Sequence, residues 1–349
     1  MTTVVQQFER LLAEQAPGDR ADAARDAAPG VRDHLKKNEE LPTQDNPATR
    51  LIGSYKRGTA NNHLKDVDIL VFVDVDENDY TPAEILKLLR DALNDYPSSE
   101  SSTRTQKRSV RITLPDHDID LDLIPALNYT SDNSKPLRIP DRDADEWIDT
   151  HPLRYEELLN ELQKNHGGAV KALMRLFKIW RDQQFINKCP KSYWLEVLTY
   201  IAVLEDGVRP EDGLPQAFRD LLQASIDKLG PHADLGQTPS LTDPVLGTDI
   251  TGDWSVDYWQ SFVRKLRDYR DIADKALAED DEQKAATQWA RVFGDVWPVG
   301  EETEEASMKR AILAGTAAVS SAGTLYPQKP VNVPTYAVPP TRHFGGSGA

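Results

Sequence analysis

Two aspartates separated by one apolar residue, Asp66-Val67-Asp68, are the residues of this sequence best suited to chemistry. In an extended strand, residues two apart project from one face. Both carboxylates can then share a hard divalent cation through oxygen ligands. The D-x-D pattern alone decides little in a chain with 57 acidic residues, since Asp74/Asp76 and Asp118/Asp120 also match it. Context separates them. Val67, Ile69, Val71 and Val73 alternate with the two aspartates, the period of a strand with one buried face. Upstream, Gly53-Ser54 offers backbone N–H groups and a hydroxyl to phosphate oxygens, because glycine allows a close backbone approach. A second acidic segment, HDIDLDLIP over residues 117–125, sets Ile119, Leu121 and Leu123 opposite Asp118, Asp120 and Asp122. Each of those three aspartates is a candidate third carboxylate for a cage holding two metals about 4 Å apart. An EF-hand beginning at Asp74 fails, with Asp79 where that loop needs glycine and Ile85 where it needs glutamate.

The elements that must position these groups are legible from periodicity. Helix is expected to about residue 38, with a break near Pro29-Gly30. Two strands follow, carrying the acidic segments, with the helix TPAEILKLLRDALNDY between them; Thr81 is its N-cap and Pro82 its first residue. Ser109 to Leu114 alternates as a further strand. Beyond residue 150 the pattern turns helical: 155–186 with an interruption at Gly167-Gly168, then 191–205, 215–229 and a longer pair over 254–295. Residues 230–253 read as a loop. The fold class is α+β, with an N-terminal helical segment (1–40), a mixed-sheet core (41–150), a helical domain (151–323) and a flexible Pro/Gly-rich tail (324–349).

Composition narrows the function classes. The net charge of −16 argues against a grip on a large nucleic acid and for small anionic substrates held by local cations. Arg104, Lys107, Arg108 and Arg111 form a basic run that reads as a solvated strand face. No apolar run approaches the ~20 residues of a membrane-spanning helix, and the N-terminus lacks the features of a signal peptide. The single cysteine, Cys189, excludes an intrachain disulfide and a multi-cysteine zinc site. A cytoplasmic protein with no membrane partner fits these features.

The segment GSYKRGTANNHLKDVDILV resembles the G-S…D-h-D signature, h being apolar, of DNA polymerase β-like nucleotidyltransferases. More narrowly, G-S-x-x-R-G-T resembles bacterial cyclic-oligonucleotide synthases, the CD-NTase family of CBASS antiphage systems, which are relatives of animal cyclic GMP-AMP synthase and oligoadenylate synthetase. In those families the third metal-binding aspartate precedes a short apolar stretch and proline. Asp122-Leu-Ile-Pro125 matches, so the resemblance favours Asp122, with Asp120 second. MRLFKIWRDQQ resembles the family helix whose lysine contacts the triphosphate, here Lys178. From its residues alone, Lys178 lies beside Phe177 and Trp180 in an apolar helix and needs an anionic partner. PKSYWLEVLTYIAV resembles the segment whose serine binds phosphate and whose tyrosine stacks on a base, here Ser192 and Tyr193. Ser192 also reads as a helix N-cap, and Tyr193 as core. The segment TDPVLGTDITGDWS has the same family character without an assignable site.

The resemblance implies a polymerase β-like core and two Mg2+ ions, with Mn2+ as substitute, held by Asp66, Asp68 and Asp122. Nucleoside triphosphates would be bound by Gly53, Ser54, Lys178, Ser192 and Tyr193 and joined into a cyclic or short linear oligonucleotide second messenger. Two alternatives stand beside it: transfer of nucleotides to tRNA 3′ ends or to a protein, and a non-catalytic nucleotide sensor or scaffold. Some relatives are joined to other proteins through their C-terminus, which makes the tail a candidate for conjugation to a partner protein.

Overall fold

The frame of the site is a five-stranded mixed sheet in the order β1-β2-β5-β4-β3, seen in a computed structural model. It describes residues 3–298 apart from 45–47, 63, 65, 98–100, 187–189 and 253, together with 317–319 and 325–327. Strands β1 (Thr49–Leu51) and β2 (Asp66–Phe72) are antiparallel. The acidic strand β5 (Ile119–Ala126) lies parallel to β2, and β4 (Val110–Leu114) and β3 (Ser102–Thr105) continue the sheet antiparallel. The parallel pairing of β2 with β5 requires a crossover, as parallel strands cannot be joined by a hairpin. Helix α4 (Pro82–Asn94) is part of that connection. It starts with a capping box in which the Thr81 hydroxyl accepts from the Glu84 N–H and the Glu84 carboxylate accepts from the Thr81 N–H.

The two faces of the sheet have different fates. Val67, Ile69, Val71 and Val73 enter one core with Leu121 and Leu123, covered by α4 and by α2 (Asp19–Lys37). On the other face, Leu70, Phe72 and Ala126 meet the hairpin of β6 (Leu137–Asp141) and β7 (Glu146–Thr150) in a smaller apolar cluster. That second face is apolar at the far end of β2 and β5 and acidic at the near end. The alternation expected from the sequence is present, and the carboxylates stand where the apolar cover stops.

The helical half comprises α5 (Pro152–Asn165), α6 (Val170–Gln184), α7 (Ser192–Leu204), α8 (Leu214–Asp234), α9 (Val256–Leu277) and α10 (Glu282–Phe293). They surround one core containing the fully buried Trp180, Trp259 and Trp289. The interruption at Gly167-Gly168 lies where the sequence places it, with both glycines at positive φ (58° and 87°).

Some local expectations need correction. The N-terminal helix breaks at Pro17-Gly18, not at Pro29-Gly30: α1 (Val4–Glu14) ends before the first pair, and Pro29 lies inside α2. The same dipeptide occurs twice. At the second, the Tyr96 hydroxyl packs close to Gly30, 2.7 Å from where a Cβ would stand. The hairpin of β6 and β7 has no counterpart in the sequence reading. Cys189 lies outside the described residues. So does the tail, except that residues 325–327 pair antiparallel with 317–319, a two-stranded unit separate from residues 2–298.

Helices α1 and α2 serve different cores, because α1 does not cover the sheet. Phe8 is fully buried, edge-on to Trp289, Phe293 and Trp297 at centroid distances of 4.9, 5.5 and 5.1 Å. Phe8→Ala should therefore destabilise the protein by about 3–5 kcal/mol. Urea denaturation should show the loss, with little change for Val5→Ala on the exposed face of the same helix.

Candidate active site

Register brings the carboxylates together. Asp66 pairs with Asp120 and Asp68 with Asp122 across the parallel β2–β5 ladder, all at the acidic end of the sheet. Asp118 does not share that face. It precedes β5 in a left-handed turn (φ 48°), and its carboxylate accepts from Arg20 at 2.8 Å.

Four like charges on neighbouring strands need compensation. Arg111, opposite Asp122 on β4, supplies part of it. Its Nε donates to Asp122 Oδ1 (2.8 Å), Nη1 to Asp120 Oδ2 (3.1 Å), and Nη2 to both Asp66 Oδ2 (2.6 Å) and Asp122 Oδ2 (2.7 Å). The expected solvated face holds for Arg104, Lys107 and Arg108, which are exposed, the last two pairing with Asp141; Arg111 is the exception, committed to the acids. Gln106 Nε2 donates to Asp122 at 3.1 Å. The hydrogen bonds to Asp122 hold the Arg111 guanidinium firmly in its charged form. Burial and the neighbouring Asp122 raise the Asp66 carboxyl. Asp68, which Arg111 does not touch, is pushed up to about 6 by burial and by the charges of Asp66 and Asp122.

Gly53 explains how Asp68 is held. With φ +75°, it places its α-carbon so close that a Cβ would lie 2.0 Å from Asp68 Oδ2. Only glycine permits that approach. It begins the short helix α3 (Gly53–Arg57), which ends at Gly58 in the left-handed conformation (φ 72°).

A second charged centre ties this helix to the helical half. Glu196 on α7 is buried, and its carboxylate accepts from Lys178 Nζ on α6 (2.5 Å), Thr59 Oγ1 (2.8 Å) and Arg57 Nε (3.0 Å). Lys178 is buried too, and also donates to the Thr59 carbonyl at 3.0 Å. The anionic partner required by the sequence is Glu196, eighteen residues on. Burial opposes ionisation of Glu196, but Lys178 and Arg57 outweigh it and keep its carboxyl below the ordinary 4.5.

Two cavities flank the β2 aspartates. One, of about 490 Å³, is lined by Ser54, Thr59, Asp66, Lys178, Arg181 and Ser192. The other, about 320 Å³, is lined by Gly53, Arg57, Asp68, Tyr155, Tyr193 and Asp243. Ser192 is the first residue of α7 rather than its N-cap, which is Lys191, and its hydroxyl accepts from Arg181 Nη1 at 2.8 Å. Tyr193 is half-buried, edge-on to Tyr155 at 5.3 Å, and its hydroxyl donates to Asp243 Oδ2 at 2.8 Å. The structure thus gathers Gly53, Ser54, Asp66, Asp68, Lys178, Ser192 and Tyr193 around two adjoining cavities. The sequence offers no site role for Glu196 or Asp243, and it places Arg111 on a solvated face rather than at the site. Asp243 lies in the TDPVLGTDITGDWS segment, to which it gives a contact with the site.

The donor set fits hard divalent cations: Asp66, Asp68 and Asp122 offer only carboxylate oxygen, and their mutual repulsion favours a cation among them. Among the described residues no three His, Cys, Asp or Glu side chains close on one point as ligands. The Arg111 guanidinium stands between the carboxylates of Asp66 and Asp122.

Glu196→Gln removes the anion shared by the buried Lys178 and the partly buried Arg57. Stability should fall by about 3–5 kcal/mol at neutral pH, the cost of breaking a buried pair. A carboxyl depressed in the folded state stabilises above its unfolded value, and that contribution disappears as pH falls through the folded value. The melting-temperature gap between wild type and variant should therefore narrow below about pH 4.5. A gap independent of pH would contradict this reading.

Comparison with known proteins agrees with this architecture. Residues 1–163 match the Second Messenger Oligonucleotide or Dinucleotide Synthetase domain. The chain is 31% identical over 340 residues to a cyclic AMP-AMP-AMP synthase of Acinetobacter sp., covering 94% of this chain and 95% of that protein. It is 25% identical to a cyclic AMP-AMP-GMP synthase of Enterobacter hormaechei, covering 84% and 91%. The structure of CdnC from Escherichia coli with ATP superposes with a TM-score of 0.69 at 18% identity, covering 84% of this chain and 98% of that one, a likeness of fold.

Proposed function

We infer that this chain, which belongs to the second-messenger oligonucleotide or dinucleotide synthetases, is a nucleotidyltransferase that makes a cyclic oligonucleotide from nucleoside triphosphates with release of pyrophosphate. Its family connects it with antiphage signalling. The observation that carries the site assignment is the pairing of Asp66-Asp68 with Asp120-Asp122 between two cavities, one rich in cations and hydroxyls, the other in aromatic rings.

Asp66, Asp68 and Asp122 are proposed to hold two Mg2+ ions, or Mn2+ in their place. Asp122 is preferred to Asp120 because its charge acts on both β2 aspartates and most strongly on Asp66, after burial. Metal held there would supply neutralisation of triphosphate charge and a lowered pKa for an attacking ribose hydroxyl. The chain's own part is positioning. Ser54 and Ser192 offer hydroxyls in the first cavity, and Arg181 is already turned toward Ser192. Lys178 adds positive potential from the wall, with its ammonium fixed by Glu196 and Thr59. Gly53 keeps Asp68 in place beneath them. Tyr193, with its ring orientation fixed by Asp243 and Tyr155, offers a face to a base in the second cavity.

Three adenylates are the favoured product. The support is the Acinetobacter relative, a cyclic AMP-AMP-AMP synthase alignable over nearly the whole chain. Transfer to tRNA or to a protein is the second reading, and no feature of the site favours it over small-product synthesis.

Incubation of the full chain with each labelled triphosphate, followed by phosphatase and thin-layer chromatography, tests the assignment. ATP alone should yield a phosphatase-resistant product whose mass is that of a cyclic triadenylate. Asp66→Asn combined with Asp68→Asn should leave a folded protein with activity reduced at least a thousandfold, on the order of losing principal transition-state stabilisation. Pyrophosphate release at the wild-type rate by that variant would remove these residues from the mechanism.

A further inference from the structure

We propose that Arg111 is an internal cation that competes with divalent metal for Asp66 and Asp122, and that metal entry displaces it toward an adjoining cavity while it keeps Asp120. The inference rests on the metal-site reading above and assigns a residue which that reading leaves without a role.

The contacts define the competition. A guanidinium has five N–H donors and no acceptor, and here they reach three carboxylates on two strands, four bonds between 2.6 and 3.1 Å. A metal ion and a guanidinium claim the same lone pairs of Asp66 Oδ2 and of both Asp122 oxygens. The two cations compete for those oxygens, because each repels the other and the guanidinium lies between the Asp66 and Asp122 carboxylates. One guanidinium also leaves four neighbouring carboxylates under-neutralised, whereas a divalent ion carries twice its charge. The exchange is therefore electrostatically favourable once metal is abundant, and Arg111 sets how abundant it must be.

The displaced side chain has a place to go. A cavity of about 440 Å³ opens beside the acids, lined by Arg111 itself with Arg20, Thr113, Leu114, Asp118 and Asp120. Asp120 belongs to both sides: it accepts from Arg111 Nη1 and also lines this cavity. Asp118, largely exposed, sits there with Arg20 as its partner. Arg111 can thus release Asp66 and Asp122 by turning about Asp120, and its charge remains next to a carboxylate throughout. The arrangement divides the β5 aspartates by partner: Asp122 for the metal, Asp120 for the arginine.

The test is calorimetric titration of Mn2+ into the full chain without nucleotide, comparing wild type, Arg111→Gln, Arg111→Lys and the Asp66→Asn/Asp68→Asn double variant. Arg111→Gln should bind Mn2+ about tenfold more tightly, the scale on which one neighbouring charge alters a carboxylate's affinity for protons. Arg111→Lys, a shorter cation without the planar fork, should fall between the two. If Arg111→Gln does not fold, the lysine variant decides: affinity above wild type supports the proposal, and affinity at or below it overturns it. Unchanged or weaker Mn2+ binding by a folded Arg111→Gln overturns the competition and leaves the metal site standing, provided the double aspartate variant loses binding. If that double variant binds Mn2+ as wild type does, the site assignment fails and this proposal with it.

Discussion

The parallel pairing of β2 with β5 is the constraint on which the rest of the site depends. In that register every acidic position of one strand meets an acidic position of the other, Asp66 with Asp120 and Asp68 with Asp122. Like charges directly across a ladder destabilise it, and burial raises the cost, as the elevated Asp68 carboxyl records. The apolar residues on the opposite face hold the ladder together regardless. Val67, Ile69, Leu121 and Leu123 are fully buried in the core beneath α2 and α4, so the strands cannot slip to relieve the repulsion without exposing that face. Hydrophobic burial thus enforces an acidic cluster that the carboxylates alone would disperse. What remains is a standing demand for cations, met by Arg111 from the neighbouring strand β4.

The second charged centre, around Glu196, answers to a different constraint. It joins the sheet half to the helical half through a buried carboxylate with three side-chain donors. A buried ion pair of this kind adds little net stability over an apolar replacement, since desolvation offsets most of the attraction. What it fixes is relative placement. Arg57 ends α3 and Thr59 follows it past Gly58, while Lys178 and Glu196 lie on neighbouring helices of the other half, so the cavity between them has walls held at set positions.

The strands and helices were legible in the sequence wherever one face is buried. Asp66–Phe72, Ile119–Ala126 and helices such as Pro152–Asn165 and Val256–Leu277 carry clean periodicity because a core selects one side of each, whereas Ser192–Leu204 is buried all round. The hairpin Leu137–Asp141 with Glu146–Thr150 was not legible: it packs on the sheet by a few apolar residues and its outer positions are charged, which hides the alternation. Resemblance drew attention to Lys178, Ser192 and Tyr193, but their partners are invisible locally. Glu196 reaches Thr59 across 137 residues, and Asp243 reaches Tyr193 across 50. Arg111 was misread for a related reason. In a strand exposed on one face, an arginine looks solvated until the register of the neighbouring strands shows which charges it opposes. Two identical Pro-Gly pairs in the N-terminal segment could not be ranked without Tyr96, which packs against the second.

The short segment Gly53–Thr59 unites the two centres, and this changes what its residue types are for. Read as a phosphate loop, G-S-x-x-R-G-T needs glycine for close approach and serine for its hydroxyl, and leaves Arg57, Gly58 and Thr59 to shape the loop. In the fold, Gly53 is glycine because Asp68 Oδ2 occupies the space of a side chain. Gly58, at φ 72°, ends α3 and turns the chain so that Thr59 enters the buried network. Arg57 donates to Glu196 while lying over the Tyr155 ring at 5.5 Å, within range of a cation–π contact. Its charge also acts favourably on Asp68. Seven residues therefore link the acidic cluster at one end to the Glu196 network at the other, with Ser54 facing the cavity between them. A shift of α3 would disturb an aspartate and a buried ion pair together, which makes the segment a rigid coupling between the sheet and the helices.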